Sequence, residues 1–87
     1  MRRFFFATVT LIAFGVLNVG HAADLKEFLT AALAQRHCPH DTVVWLNLPT
    51  MIWHYKGERW YGRTKRGAYV CEKEAAAAGA RATRNGE

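Results

Sequence analysis

The chain opens with its longest apolar run, Phe4 to Val19, softened only by Thr8, Thr10 and Asn18. Beyond it the spacing changes. Leu25, Phe28, Leu29, Ala32 and Leu33 recur at helical intervals and predict a helix with one apolar stripe. Asp24 is a good N-cap for that helix, and Glu27 three residues later completes a capping box. Arg36 and His37 suit the negative end of the helix dipole. Pro39 stops the helix, and Cys38, preceding a proline, is pushed toward an extended conformation.

The pattern then becomes that of strands. Thr42 to Asn47 is rich in β-branched and aromatic residues, Leu48-Pro49-Thr50 reads as a turn, and Met51 to Tyr55 is a second strand. The two predict an antiparallel hairpin. Gly57, Gly62 and Gly67 punctuate an irregular loop, and Ala68-Tyr69-Val70 predicts a short third strand. Cys71 stands at the N-cap position of a short helix over Glu72 to Ala78, with Glu74 three residues on and Gly79 fitting just past its end. The tail, 80–87, is expected to fray. The sum is a small single α+β domain: N-terminal helix, β-hairpin, short third strand and short C-terminal helix.

The opening run changes the meaning of everything after it. Arg2 and Arg3 give it a positive start, and Gly20-His21-Ala22 places small residues where a signal peptidase looks. The segment 1–22 therefore reads as a secretory signal peptide, leaving a mature domain over 23–87 that is periplasmic or secreted. An uncleaved anchor is the competing reading, but the run is short for a full span and ends without a stop-transfer cluster of charge. Arg2-Arg3 also resembles a twin-arginine signal, although the pair sits at the very start of a strongly apolar core. No cysteine follows the cleavage region to carry a lipid. No stable membrane span is expected after cleavage.

Cleavage after Ala22 would leave 65 residues, a single domain with a marginal core that calls for a staple. It would also take the formal net charge from +5 to +3, because Arg2 and Arg3 go and all seven acidic residues stay. The mature chain is thus only moderately basic, which lessens any general case for nucleic acid.

Two cysteines, Cys38 and Cys71, in a chain bound for an oxidising compartment predict a disulfide. Thirty-two residues lie between them, and closing that loop is worth about 4 kcal/mol before strain. Metal ligation is the alternative. His37, Cys38 and His40 are clustered, and His54 and Cys71 could approach them to hold zinc or copper. The spacing matches no standard zinc signature, so no cofactor is expected. His54, between Trp53 and Tyr55, is either a hydrogen-bonded structural histidine or the start of a site.

The segment from Trp53 to Tyr69 interleaves rings with cations. Trp53, Tyr55, Trp60, Tyr61 and Tyr69 alternate with Lys56, Arg59, Arg63, Lys65 and Arg66, and Glu58 is the one acid; of the rings, Trp53, Trp60 and Tyr61, with His54, are the candidate binding residues. Such a loop can stack on bases and neutralise phosphates, or engage acidic glycans and lipid headgroups. It can equally be a core of rings with a solvated rim of cations. The two are compatible, since a loop rim is where a small domain binds a partner. The expectation is a non-enzymatic module presenting this loop to an anionic or protein partner in the cell envelope. Catalysis has little support. The chain has no serine, a disulfide would consume the thiols, and Asp41, Glu58, Glu72 and Glu74 form no evident acid–base pair.

Asp41 to Asn47, Thr50-x-x-Trp53-His54, Gly57-x-Arg59-Trp60-Tyr61-Gly62-x-Thr64-Lys65-x-Gly67-x-Tyr69 and Glu74-Ala75-x-x-Ala78-Gly79-x-Arg81 together resemble a group of small exported bacterial proteins of unknown function. More distantly, the layout is similar to the metal-binding domain of Ada-type DNA repair proteins. That resemblance implies a hairpin, a loop, a strand and a short helix. The four zinc-binding cysteines of that domain fall here on His54, Glu58, Thr83 and Gly86. The resemblance therefore implies a lost zinc site, with Cys38–Cys71 as the staple in its place.

Overall fold

The sheet is built outward from β1 (Val43–Asn47), whose first four residues are all buried. A strand covered on both faces belongs at the centre of a sheet. β2 (Ile52–His54) pairs antiparallel with one side of β1, and β3 (Gly67–Cys71) pairs antiparallel with the other. β4 (Arg81–Ala82) adds parallel to the outer edge of β2, so the spatial order is β3-β1-β2-β4. Helix α1 (Ala31–His37) precedes the sheet, and α2 (Glu72–Ala77) follows β3 without a break. This computed structural model describes residues 25–86, and the expected leader over 1–22 and the Asp24 cap lie outside the described residues. The architecture is the α+β domain that the sequence pattern predicts.

Strand alternation divides the buried residues between two faces. Val44 and Leu46 point to one side with Trp53, Ala68 and Val70, where Ala75 of α2 and Ala80 complete a core cluster. Leu46, Val44 and Val70 are fully buried there. On the other side the register sets Trp45 opposite both His54 and Tyr69, and Val43 opposite Cys71. Both faces are needed because a chain this short has few large side chains with which to exclude water.

The predicted disulfide is present. Cys38, just past α1, is bonded to Cys71 at the end of β3, 33 positions along the chain. It suggests a non-reducing environment. Among the described residues no helix is long and apolar enough to cross a membrane.

Two expectations need correction. The first helix starts at Ala31 rather than near Asp24, and Thr30 is its N-cap, with its hydroxyl accepting from Leu33 N–H at 3.1 Å. The residues before it are extended: Phe28 and Tyr69 exchange backbone hydrogen bonds of 2.9 and 3.0 Å. The stripe moves accordingly. Ala34 is fully buried, whereas Leu29 is 90% exposed and Leu33 is 42% exposed. The free edge of β3 offered Phe28 backbone partners that local spacing cannot reveal.

The tail does not fray at its start. Ala80 is buried, Arg81 N–H donates to Met51 C=O at 3.1 Å, and Thr83 N–H donates to Trp53 C=O at 2.9 Å. The outer edge of β2 would otherwise present unpaired backbone groups. The position of Cys71 at the start of α2 is as expected. Cys71 is the N-cap residue, but its sulfur is bonded and caps nothing. The capping oxygen comes from Asp41, which accepts from Lys73 N–H at 2.9 Å.

Candidate functional site

The connection between β2 and β3, residues 55–66, carries most of the predicted binding residues. It is a series of tight turns. Glu58 N–H donates to Tyr55 C=O, Tyr61 N–H to Glu58 C=O, and Arg63 N–H to Trp60 C=O. The carboxylate of Glu58 turns back to accept from Tyr55 N–H at 2.7 Å. The acid of this segment is thus committed to the loop's own backbone.

Rings fasten the loop over the sheet. Trp45 Nε1–H donates to Thr64 Oγ1 at 2.8 Å. Tyr69 packs edge-on against Trp45 with centroids 4.9 Å apart, and Tyr61 packs edge-on against Tyr69 at 5.6 Å. Gly62, with φ +71°, allows the chain to turn where a side chain would meet the Tyr69 hydroxyl at 2.9 Å. Burial, and secondarily the neighbouring Tyr69, raises the Tyr61 hydroxyl above its ordinary pKa of 10.

What remains outside is cationic. Lys56, Arg59, Arg63, Lys65 and Arg66 are all exposed. Among the described residues none of them lies within ion-pair distance of a carboxylate. Trp60 is exposed among them, with the Arg59 guanidinium 5.0 Å from its ring centroid. The structure therefore brings Lys56, Arg59, Trp60, Arg63, Lys65 and Arg66 to one outward-facing turn system, with Tyr61 half-buried as its anchor.

Two predicted binding residues are elsewhere. Trp53 and His54 are each only 6% exposed. Trp53 belongs to the core cluster on the α2 side, and His54 lies beside Trp45 on the opposite face. Neither is available to a partner at the surface. Trp53 Nε1 and His54 Nδ1 are buried without a hydrogen-bond partner.

The metal set predicted as the alternative is only partly assembled. Cys38 and Cys71 are bonded to each other. His37 Nε2 lies 2.8 Å from Glu74 Oε2, so the imidazole has a carboxylate partner that sequence reasoning missed. Among the described residues, His37, Cys71 and Glu74 form a group whose candidate ligand atoms all lie within 4.8 Å of one another. His40 and His54 are not part of any such group, and neither are Glu58 and Thr83. The one hint of Glu74 in the sequence was its position three residues after Cys71, which a helix turn places near Cys71.

A shallow cleft of about 260 Å³ lies between the extended segment before α1 and the sheet. Phe28, Leu29, Trp45, Gly67 and Ala68 line it, with the Glu27 carboxylate as its one charged group. It is too apolar, and of the wrong charge, to extend the basic surface.

Comparison with known proteins finds no family, no curated protein and no solved structure that matches this chain.

Proposed function

We propose that this protein is a small exported, non-enzymatic binding module whose partner is anionic, engaged through the turn system of residues 55–66 in the periplasm or outside the cell. One observation carries the reading: a cluster of exposed cations around exposed Trp60, with the only acid of the loop turned inward to a backbone N–H. Cations left without carboxylates keep their charge for an incoming ligand. An exposed indole beside a guanidinium supplies a flat apolar surface that an ordinary solvated rim does not need. The disulfide and the leader-like start both favour an extracytoplasmic setting.

The test is a salt series. Binding of a single-stranded oligonucleotide, a sulfated glycan and anionic lipid vesicles is measured by fluorescence anisotropy or co-sedimentation at low and moderate salt. Replacing Arg59, Arg63, Lys65 and Arg66 together with glutamine should weaken capture of the preferred anion. The slope of log affinity against log salt should shrink by about 0.7 to 0.9 per lost contact. All four residues are exposed, so the fold should survive. Unchanged affinity and slope for every anion would leave the cations as a solvated rim and overturn the proposal.

A further inference from the structure

The group around the disulfide is separate from the basic loop and has the makings of a second site. His37 stands at the end of α1 and Glu74 in the first turn of α2. Their side chains meet at 2.8 Å beside the sulfur of Cys71, and Cys38 is bonded to that same sulfur. Two thiolates, one imidazole and one carboxylate are a sufficient tetrahedral set for a borderline-soft divalent ion. A tetrahedral zinc shell places its ligand atoms about 3.3 to 3.8 Å apart, within the compass of this group.

While the disulfide is intact the set is incomplete, because a sulfur bonded to sulfur is not a thiolate. We infer that reduction of Cys38–Cys71 converts this staple into a zinc site formed by His37, Cys38, Cys71 and Glu74. A dithiol reductant supplies two electrons and two protons and leaves as its own disulfide, and the two cysteines become thiols. Zinc then displaces the two thiol protons and takes the place of the sulfur–sulfur bond.

The geometry favours such an exchange because the ligand-bearing segments are tied together independently of the sulfurs. Asp41 accepts from Lys73 N–H at 2.9 Å, and Thr42 C=O accepts from Glu72 N–H at 2.9 Å. Gln35 Nε2–H donates to both Cys38 C=O and Asp41 C=O at 2.9 Å, holding the turn after α1 in place. These bonds keep Cys38 near Cys71 after reduction. Cys71 is fully buried, while the His37 and Glu74 side chains are 34% and 41% exposed. An ion can therefore enter past the imidazole and the carboxylate and reach the sulfurs behind them. The predicted metal set contained His37, Cys38 and Cys71; the fold adds Glu74 and leaves out His40 and His54.

The experiment uses the full chain, oxidised and reduced, titrated with zinc or cobalt under anaerobic conditions. The reduced protein should take one ion per chain, with cobalt showing tetrahedral ligand-field bands and sulfur-to-cobalt charge transfer, and the oxidised protein should take none. His37→Gln and Glu74→Gln should each weaken binding to the reduced form by about tenfold or more, since even outer partners of a metal site are worth that much. Neither residue is buried, so both variants keep the oxidised fold. If the reduced chain proves unfolded without metal, zinc should restore its native circular dichroism. Failure to do so, or no uptake by the reduced form, overturns the inference. So does uptake that is identical in His37→Gln and Glu74→Gln, which would mean binding by the thiols alone.

Discussion

The hydroxyl of Tyr55 donates to the carboxylate of Glu72 across 2.6 Å, joining the first residue after β2 to the first residue of α2. The bond crosses from the start of the basic loop to the helix that covers the core. It connects the proposed binding surface to the rest of the fold.

That hydrogen bond has a pH signature. The Glu72 carboxylate accepting from it raises the Tyr55 hydroxyl above its ordinary value of 10, and the nearby Trp53 indole N–H offsets part of the rise. A folded-state value above the unfolded one contributes stability that is complete below about pH 10. The contribution is lost as pH rises through the folded-state value. Tyr55→Phe should cost about 1 kcal/mol near neutrality and should flatten the alkaline loss of stability. Urea midpoints at about pH 8 and about pH 11 for both proteins check this. Equal alkaline slopes would show that the Tyr55–Glu72 bond contributes nothing to folding.

Gly67 has no room for a side chain. A Cβ there would fall inside contact distance of the Trp45 indole, 2.8 Å from its Nε1. Gly67→Ala should push the indole away, weaken its bond to Thr64 and destabilise the domain by about 1 to 3 kcal/mol. Thermal unfolding gives the cost, and near-ultraviolet circular dichroism reports the displaced ring. A full-stability variant with unaltered aromatic signals would contradict the packing of the loop on Trp45.

The disulfide should dominate the stability of so small a domain. Replacing Cys38 and Cys71 together with alanine should lower the unfolding free energy by about 4 kcal/mol, chiefly through the unfolded chain. Reduction in the presence of a chelator should do the same. Urea titrations of the three forms are the measurement, and a reduced protein as stable as the oxidised one would refute the role of the bond as a staple.

The proposed binding surface was legible mainly as composition. Lys56, Arg59, Arg63, Lys65 and Arg66 are exposed, as runs of glycine-punctuated charge usually are. Trp53 and His54 looked like part of the same surface because they adjoin it in sequence. Their places were decided by pairing: Leu46 opposite Trp53 and Trp45 opposite His54 send these two side chains to opposite faces, each of them covered. Glu74 was hidden for the same reason, since its partner His37 lies 37 positions away.

The sequence by itself determined the first three strands, the final helix, the α+β class and the disulfide. Each of these rests on something local or compositional: β-branched runs, a proline after Cys38, a glycine after Ala78, two cysteines in a short chain. Only the tertiary structure decided where the first helix begins, what the tail does and which groups surround the sulfurs. Phe28 is extended because Tyr69 offers it an edge, and Arg81 is ordered because Met51 offers it another. His37, Cys71 and Glu74 meet because Asp41 and Lys73 bring two distant segments together. Such outcomes depend on long-range backbone groups seeking partners, and periodicity along a chain does not record which edge will be free to supply them.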